Sequence, residues 1–217
     1  MPDDNISIES LLTIYSRKKE AINARLAEFR AVWREGSERA IFRELAFCIL
    51  TPQSKALTCW RCIEDNLDGI LLTISESELA EKIKRVRFRF NKARYIAEAR
   101  AKFVNQGQVK IIPKLARFET PFELREWLVD EVKGLGYKEA SHFLRNIGRG
   151  EQLAILDRHI LRNLLALEVI PEIPKYLRRA AYIDIEDKMR QFANEITIPL
   201  AHLDPLLWYK ETGYIFK

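Results

Sequence analysis

Three cysteines, three histidines and two methionines are all that 217 residues contain of those types, and eight glycines and eight prolines are spread thinly between them. Each scarcity removes a class of protein. Cys48, Cys59 and Cys62 are too few for a disulfide framework. Cys59-Trp-Arg-Cys62 has the spacing of half a zinc site, but no second pair follows and His142, His159 and His202 are not grouped. No metal is therefore expected, and the cysteines read as small apolar side chains on helices. No stretch reaches the roughly 18 apolar residues of a membrane-spanning helix. The opening MPDDNISIES has neither a cationic start nor an apolar signal core, so a cytoplasmic protein without membrane association is expected. Internal repeats and low-complexity segments are lacking as well.

What is present is a chain with 47% hydrophobic residues, enough for a core, and 36 Lys+Arg against 31 Asp+Glu, a formal charge of +5. That balance permits nucleic-acid binding without demonstrating it. Apolar residues recur at helical spacing over 7–33 and 38–50, as at Ile41, Leu45, Cys48 and Ile49. In TPQSKALTCWRCIEDNL, Thr51 and Pro52 read as the cap and first residue of a new helix. Helices are expected at 77–84 and 92–104, separated by RVRFRF, which alternates like a strand but has no partner. Thr120 and Pro121 repeat the cap-and-proline start before FELREWLVDEV. Ala140, Phe143, Leu144 and Ile147 form an apolar stripe that Gly148 ends. Asp157 precedes RHILRNLLAL, 177–194 is helical, and Asp204-Pro205 reads as the start of a short last helix around Trp208. The fold class is all-α.

Between two of these helices lies Lys133-Gly134-Leu135-Gly136-Tyr137. Two glycines around one apolar residue allow positive φ and close approach of another group. Leu135 can plug back between the helices, and the open N–H groups of such a turn suit a phosphate. This is the pattern of a helix-hairpin-helix, which grips the DNA backbone without reading sequence; a plain glycine-closed turn remains the bland alternative. Lys138 then falls in the first turn of the second helix, where an ammonium gains nothing from the helix dipole. A lysine there can contact phosphate or serve as an amine nucleophile. Nineteen residues on, Asp157 starts the next helix. As an N-cap it is ordinary, yet one helix plus a short loop can bring both helix starts to one cleft.

Hairpin, Lys138 and Asp157 together resemble the helix-hairpin-helix DNA glycosylase superfamily, and VKGLGYKEASHFLRNIG is similar to its archaeal-type (type 2) 8-oxoguanine DNA glycosylase/AP lyase branch. ILTPQSKA resembles the family segment that faces DNA. The resemblance spans roughly 35–217. It implies that Lys138 attacks the sugar C1′ of a flipped nucleotide, that Asp157 stabilises the positive charge developing on the sugar, and that the Schiff base then allows β-elimination. Neither step needs a metal or cofactor. The four-cysteine iron–sulfur tail of endonuclease III and the adenine glycosylases is missing here, as in the oxoguanine branch. The resemblance further implies base recognition by Trp208 and Lys217, the latter with its carboxylate, and DNA contacts at Lys133, Gly134 and Gly136. Gln53 reads either as a contact to a base edge or as a solvated first-turn residue. Phe88, among nine Lys/Arg and two Glu over 81–102, sits where relatives place a wedge; Phe88 and Phe90 read equally well as core.

The expected architecture is a helical barrel over 35–150 ending in the hairpin, with 1–34 and 151–217 as a second, discontinuous helical subdomain and DNA across the cleft between them. The expected partner is double-stranded DNA containing an oxidised base, bound by a monomer at a prokaryotic nucleoid. Two other functions stay open on the residues alone: a glycosylase/lyase for oxidised pyrimidines, and a non-catalytic helix-hairpin-helix DNA-binding module.

Overall fold

The computed structural model describes residues 6–217, so residues 1–5 of the expected second subdomain lie outside it. Ser7 starts α1 (Ile8–Arg34) through a capping box with Ser10. Ser37 caps α2 (Glu38–Leu50), which is buried along most of its length. α3 (Ala56–Arg61) runs directly into a π-helical turn at Cys62–Asn66. Ser75 and Glu78 box the start of α4 (Glu76–Lys82), and α5 (Arg89–Phe103) follows. β1 (Val104–Asn105) pairs antiparallel with β2 (Gln108–Val109). Then come α6 (Ile112–Leu115) and α7 (Pro121–Glu131), the latter opened by Thr120, Pro121 and Glu123 as the sequence implied. α8 (Tyr137–Asn146), α9 (Arg158–Ala166), α10 (Arg179–Glu195) and α11 (Leu200–Thr212) complete the all-α fold. No helix among the described residues is long and apolar enough to cross a membrane.

Three expectations are corrected. Thr51-Pro52 does not open a helix: the Thr51 hydroxyl donates to the Cys48 carbonyl and closes α2, and the next helix begins only at Ala56. Asp204-Pro205 does not open the last helix, which starts at Leu200 and carries Pro205 inside it. The Asp204 carboxylate is spent on Arg145 of α8 rather than on a cap. The helix expected at 92–104 begins three residues earlier, at Arg89, so that Arg85–Phe88 form a turn and Arg89 and Phe90 already belong to α5.

Buried side chains gather in two clusters. One takes residues from Ile41 to Leu153, and the other takes residues from Ile6 to Phe29 together with those from Ala154 to Leu207. Two features tie them together. Gly148, at φ +72°, lies so close to α1 that a Cβ there would sit 2.5 Å from the Arg30 Cα, and only glycine fits. Arg125 of α7 and Glu186 of α10, each with a side chain 1% exposed, form a two-pronged ion pair with N–O distances of 2.7 and 2.8 Å. Arg125 also donates to Ser141 of α8, and Glu186 accepts from the Ala154 N–H at 2.7 Å. Tyr182 of α10 donates to the Ala154 carbonyl and accepts from the Leu156 N–H. The loop leading to Asp157 is thereby held against α8 by charge and hydrogen bonds.

Removing Glu186 leaves the Arg125 guanidinium buried without its carboxylate, whereas Glu186 would keep Arg190 at 3.8 Å if Arg125 were removed. Glu186→Ala is expected to cost about 3–5 kcal/mol of stability, whereas the paired replacement Arg125→Met/Glu186→Leu should cost less than either single change. Denaturant unfolding of the three variants checks this; a double variant less stable than both singles would remove the pair from its assigned role.

Candidate active site

A cleft of about 840 Å³ opens where the turn after α2, the start of α8, the loop before α9, α11 and the last residues meet. Its walls include Gln53, Arg87, Lys138, Asp157, Trp208 and Lys217, so residues far apart in sequence converge.

The hairpin forms as the sequence implied, but its two glycines differ. Gly134 has φ +89°, and a Cβ there would come 2.7 Å from Tyr95 Cδ2, so it admits no side chain. Gly136 has φ −94°, which any residue can adopt; it caps α8 without a side chain and leaves the first-turn N–H groups of that helix open. Leu135 is 5% exposed and plugs into the first core. Lys133 points outward, 70% exposed, and pairs with Glu98 at 3.1 Å.

Lys138 stands on the first turn of α8 with a side chain 23% exposed, and its nearest carboxylate oxygen belongs to Glu139 at 3.8 Å. One turn on, at the fourth residue along, is His142, 5% exposed and edge-on to Phe47. Burial, then the charges of Lys138 and Arg145, push its imidazole well below the ordinary range, so the ring is neutral. The Lys217 backbone favours the protonated ring but stays outside hydrogen-bonding geometry, and neither ring nitrogen has a partner among the described residues. Asp157 caps α9: its Oδ1 accepts from the N–H groups of His159 and Ile160 at 2.8 and 2.9 Å. Its Oδ2 takes no hydrogen bond among the described residues. Behind them Arg145 pairs with Asp204, whose carboxyl is raised by burial against the pull of Arg145.

Trp208 stands edge-on to His159 with centroids 5.4 Å apart, and its indole N–H has no partner among the described residues. The last residues are not a frayed end. Ile215 packs on the second core and Phe216 on the first, and the Lys217 ammonium is paired with Glu44 of α2 and lies 3.7 Å from the Trp60 ring centroid.

On the outer rim, Gln53 is exposed with φ +53°. Its turn is held by Lys92, a residue the sequence reading passed over because it sits in a run of charge. The Lys92 ammonium is buried and donates to the carbonyls of Leu50 and Pro52 at 2.7 and 2.6 Å and to the Ser54 hydroxyl at 3.1 Å. Burial pulls its pKa down to about 8. Ser54 in turn accepts from the Arg87 N–H at 3.0 Å, which joins this turn to the one carrying Phe88. Phe88, at φ +59°, is 50% exposed and Phe90 is 65% exposed, so neither is a core residue. Cys48, Cys59 and Cys62 are buried, and burial pushes the Cys59 thiol up to about 11.

Two further residues of the site carry a sequence signal. Glu44 interrupts the apolar run Ile41–Leu50, where a carboxylate needs partners, and His142 repeats the face of Lys138 one turn later.

Comparison with known proteins places this geometry. A sequence profile described as 8-oxoguanine DNA glycosylase matches residues 22–198. An 8-oxoguanine DNA glycosylase/AP lyase of Fusobacterium nucleatum is 47% identical over 205 residues, 94% of each chain. The Methanocaldococcus jannaschii 8-oxoguanine glycosylase/lyase, solved in complex with a 15mer DNA containing 8-oxoguanine, superposes with a TM-score of 0.87 at 38% identity, covering 97% of this chain and 99% of that one. The 8-oxoguanine DNA glycosylase of Thermotoga maritima gives 0.86 at 34% identity over 97% and 98%. With its hairpin, its lysine and aspartate at two convergent helix starts and this likeness along nearly its whole length, the chain belongs to the 8-oxoguanine DNA glycosylase family.

Proposed function

We propose that this protein removes 8-oxoguanine from double-stranded DNA through a covalent lysine intermediate and then cuts the strand at the resulting abasic site. The observation that carries the reading is the placement of Lys138 and Asp157 at the starts of α8 and α9 on one cleft, beside a hairpin with open N–H groups.

The hairpin holds a backbone phosphate, with Gly134 and Gly136 giving the close approach and Lys133 adding charge. A stacked base cannot be reached, so the nucleotide is flipped at a cost of a few kcal/mol. Phe88 fills the gap, supported by Arg87, whose guanidinium lies 5.0 Å from its ring centroid, and Gln53 faces the opened pair from the neighbouring turn. Trp208 provides a stacking face for the flipped base, and Lys217 supplies the polar contact that discriminates.

The amine lone pair of Lys138 attacks C1′, the N-glycosidic bond breaks, and the base leaves with the electron pair and takes up a proton. Asp157, held in one rotamer by the two N–H groups of α9, directs Oδ2 at the sugar and stabilises its developing positive charge. Ring opening gives the Schiff base between Nζ and C1′. Loss of a proton from C2′ and cleavage of the C3′–O bond then nick the strand 3′ to the lesion. The protein acts as a monomer in the two-subdomain arrangement of 35–150 against 1–34 and 151–217, with DNA along the cleft.

Borohydride trapping on duplexes carrying 8-oxoguanine or thymine glycol tests the reading. A covalent adduct is expected on the 8-oxoguanine duplex and none with Lys138→Gln; adduct only on thymine glycol would move the substrate to oxidised pyrimidines, and no adduct on either would leave a binding module. Asp157→Asn should slow excision roughly a hundredfold, since removing one preorganised charge-stabilising group typically costs that much. An effect below about threefold would release Asp157 from the chemistry. Phe88→Ala should slow excision from paired duplex about tenfold, as loss of one stacking contact does, and Phe90→Ala much less. Equal losses would mean that Phe88 is not the wedge.

A further inference from the structure

Glu44 is a carboxylate in an apolar place. It lies in the middle of α2, its side chain is 5% exposed, and apart from the partly exposed Arg43, which pairs with Asp68, its neighbours along the helix are core residues. Two groups from elsewhere in the chain satisfy it. Oε1 takes the ammonium of Lys217, 173 residues away, and Oε2 accepts from the Asn146 amide at 2.9 Å. Asn146 is itself fully buried, at the last turn of α8, the helix that begins with Lys138. On its other side the Lys217 ammonium meets the face of Trp60. Lys217 is thus enclosed by a carboxylate, an aromatic ring and its own tail, with 14% of its side chain exposed.

Charge arithmetic explains the consequence. A buried carboxylate with a single cation cannot release that cation without being left uncompensated, so the ammonium is fixed by Glu44 as firmly as Glu44 is buried. We propose that Glu44, braced by Asn146, is a positioning residue: it fixes Lys217, and through it the tail Tyr214–Lys217, over the part of the cleft that receives the flipped base. Selectivity for the base then depends on a residue that never touches it. The proposal rests on the reading of Lys217 as a recognition residue. Asn146 adds a second role, because it links the tail rigidly to the helix that carries the attacking amine. The base pocket and the nucleophile are therefore referenced to one helix, and a shift of the tail misplaces the base relative to Lys138.

The readout is the ratio of 8-oxoguanine excision to cleavage of a pre-formed abasic site, in which there is no base to place. Lys217→Met should lower this ratio roughly tenfold, Glu44→Gln should lower it by a similar factor, and the double variant should be no worse than Lys217→Met alone, as for two residues acting through one contact. Lys217→Arg, which keeps the cation, should retain most of the ratio. An unchanged ratio in Lys217→Met overturns the anchoring role, whereas an unchanged ratio on deletion of Lys217, which also removes its carboxylate, overturns the recognition reading itself. A loss in Lys217→Met beside a normal Glu44→Gln, or losses that multiply in the double variant, overturns the positioning role alone. Should Glu44→Gln fail to fold, Trp60→Leu removes the aromatic side of the same enclosure; a lowered ratio supports the proposal and an unchanged one overturns it.

Discussion

The bidentate pair between Arg125 and Glu186 sets the geometry on which the site depends. It joins α7 of the first core to α10 of the second, and both ends reach further: the guanidinium to Ser141 on α8, the carboxylate to the backbone of Ala154. Three residues beyond Ala154 stands Asp157. The positions of the α8 start, with its lysine, and of the α9 start, with its aspartate, are therefore fixed relative to each other through one buried charge pair rather than through a mobile loop. Apolar packing alone is tolerant of small shifts, whereas a two-pronged ion pair has one good geometry. For chemistry that needs an amine and a carboxylate placed to a fraction of an ångström, that directional restraint matters more than its net contribution to stability.

A second regularity follows from the first. The cleft holds several cations at or below its surface, among them Lys92, Lys138, Arg145 and Lys217. Arg145 is matched by Asp204, Lys217 by Glu44, and Lys92 by two carbonyls and a hydroxyl, so each of these has become a structural brace. Among the described residues the nearest carboxylate to Lys138 is Glu139 at 3.8 Å, which in the proposed reaction leaves its amine to the substrate. On that reading the lysine that reacts differs from those that brace in its close acceptors among the described residues and not in depth: Lys217, at 14% side-chain exposure, is buried more deeply than Lys138 at 23%, yet it is the fixed one.

Much of this was legible in the sequence, and the pattern of success has a physical cause. The hairpin, the α8 stripe, the Thr120-Pro121 start and the Asp157 cap are local features, in which residues a few positions apart satisfy each other. The misreadings share the opposite origin. Thr51-Pro52 and Asp204-Pro205 both carry the residue types of a helix start, but tertiary partners claim them: Lys92 takes the carbonyls around Pro52, and Arg145 takes the Asp204 carboxylate. The bracing network of Glu44, Asn146, Arg125 and Glu186 was invisible for the same reason, since its partners lie 61 to 173 residues apart. Exposure of Phe88 and Phe90 is likewise decided by the left-handed turn before α5, which no period in RVRFRF announces.

The two helix starts that face the cleft show how one backbone device serves opposite charges. At α8 the cap is glycine, so the first-turn N–H groups have no side-chain cap among the described residues, an end that suits an anion. At α9 the cap is aspartate, so the equivalent groups are consumed by Oδ1, and the end of the helix presents a carboxylate oxygen instead. In the proposed reaction the first end suits a phosphate and the second a cationic sugar. In that reaction the single difference of cap residue, Gly136 against Asp157, sorts phosphate from sugar between two helix starts, with Lys138 in the first turn of the phosphate-binding helix.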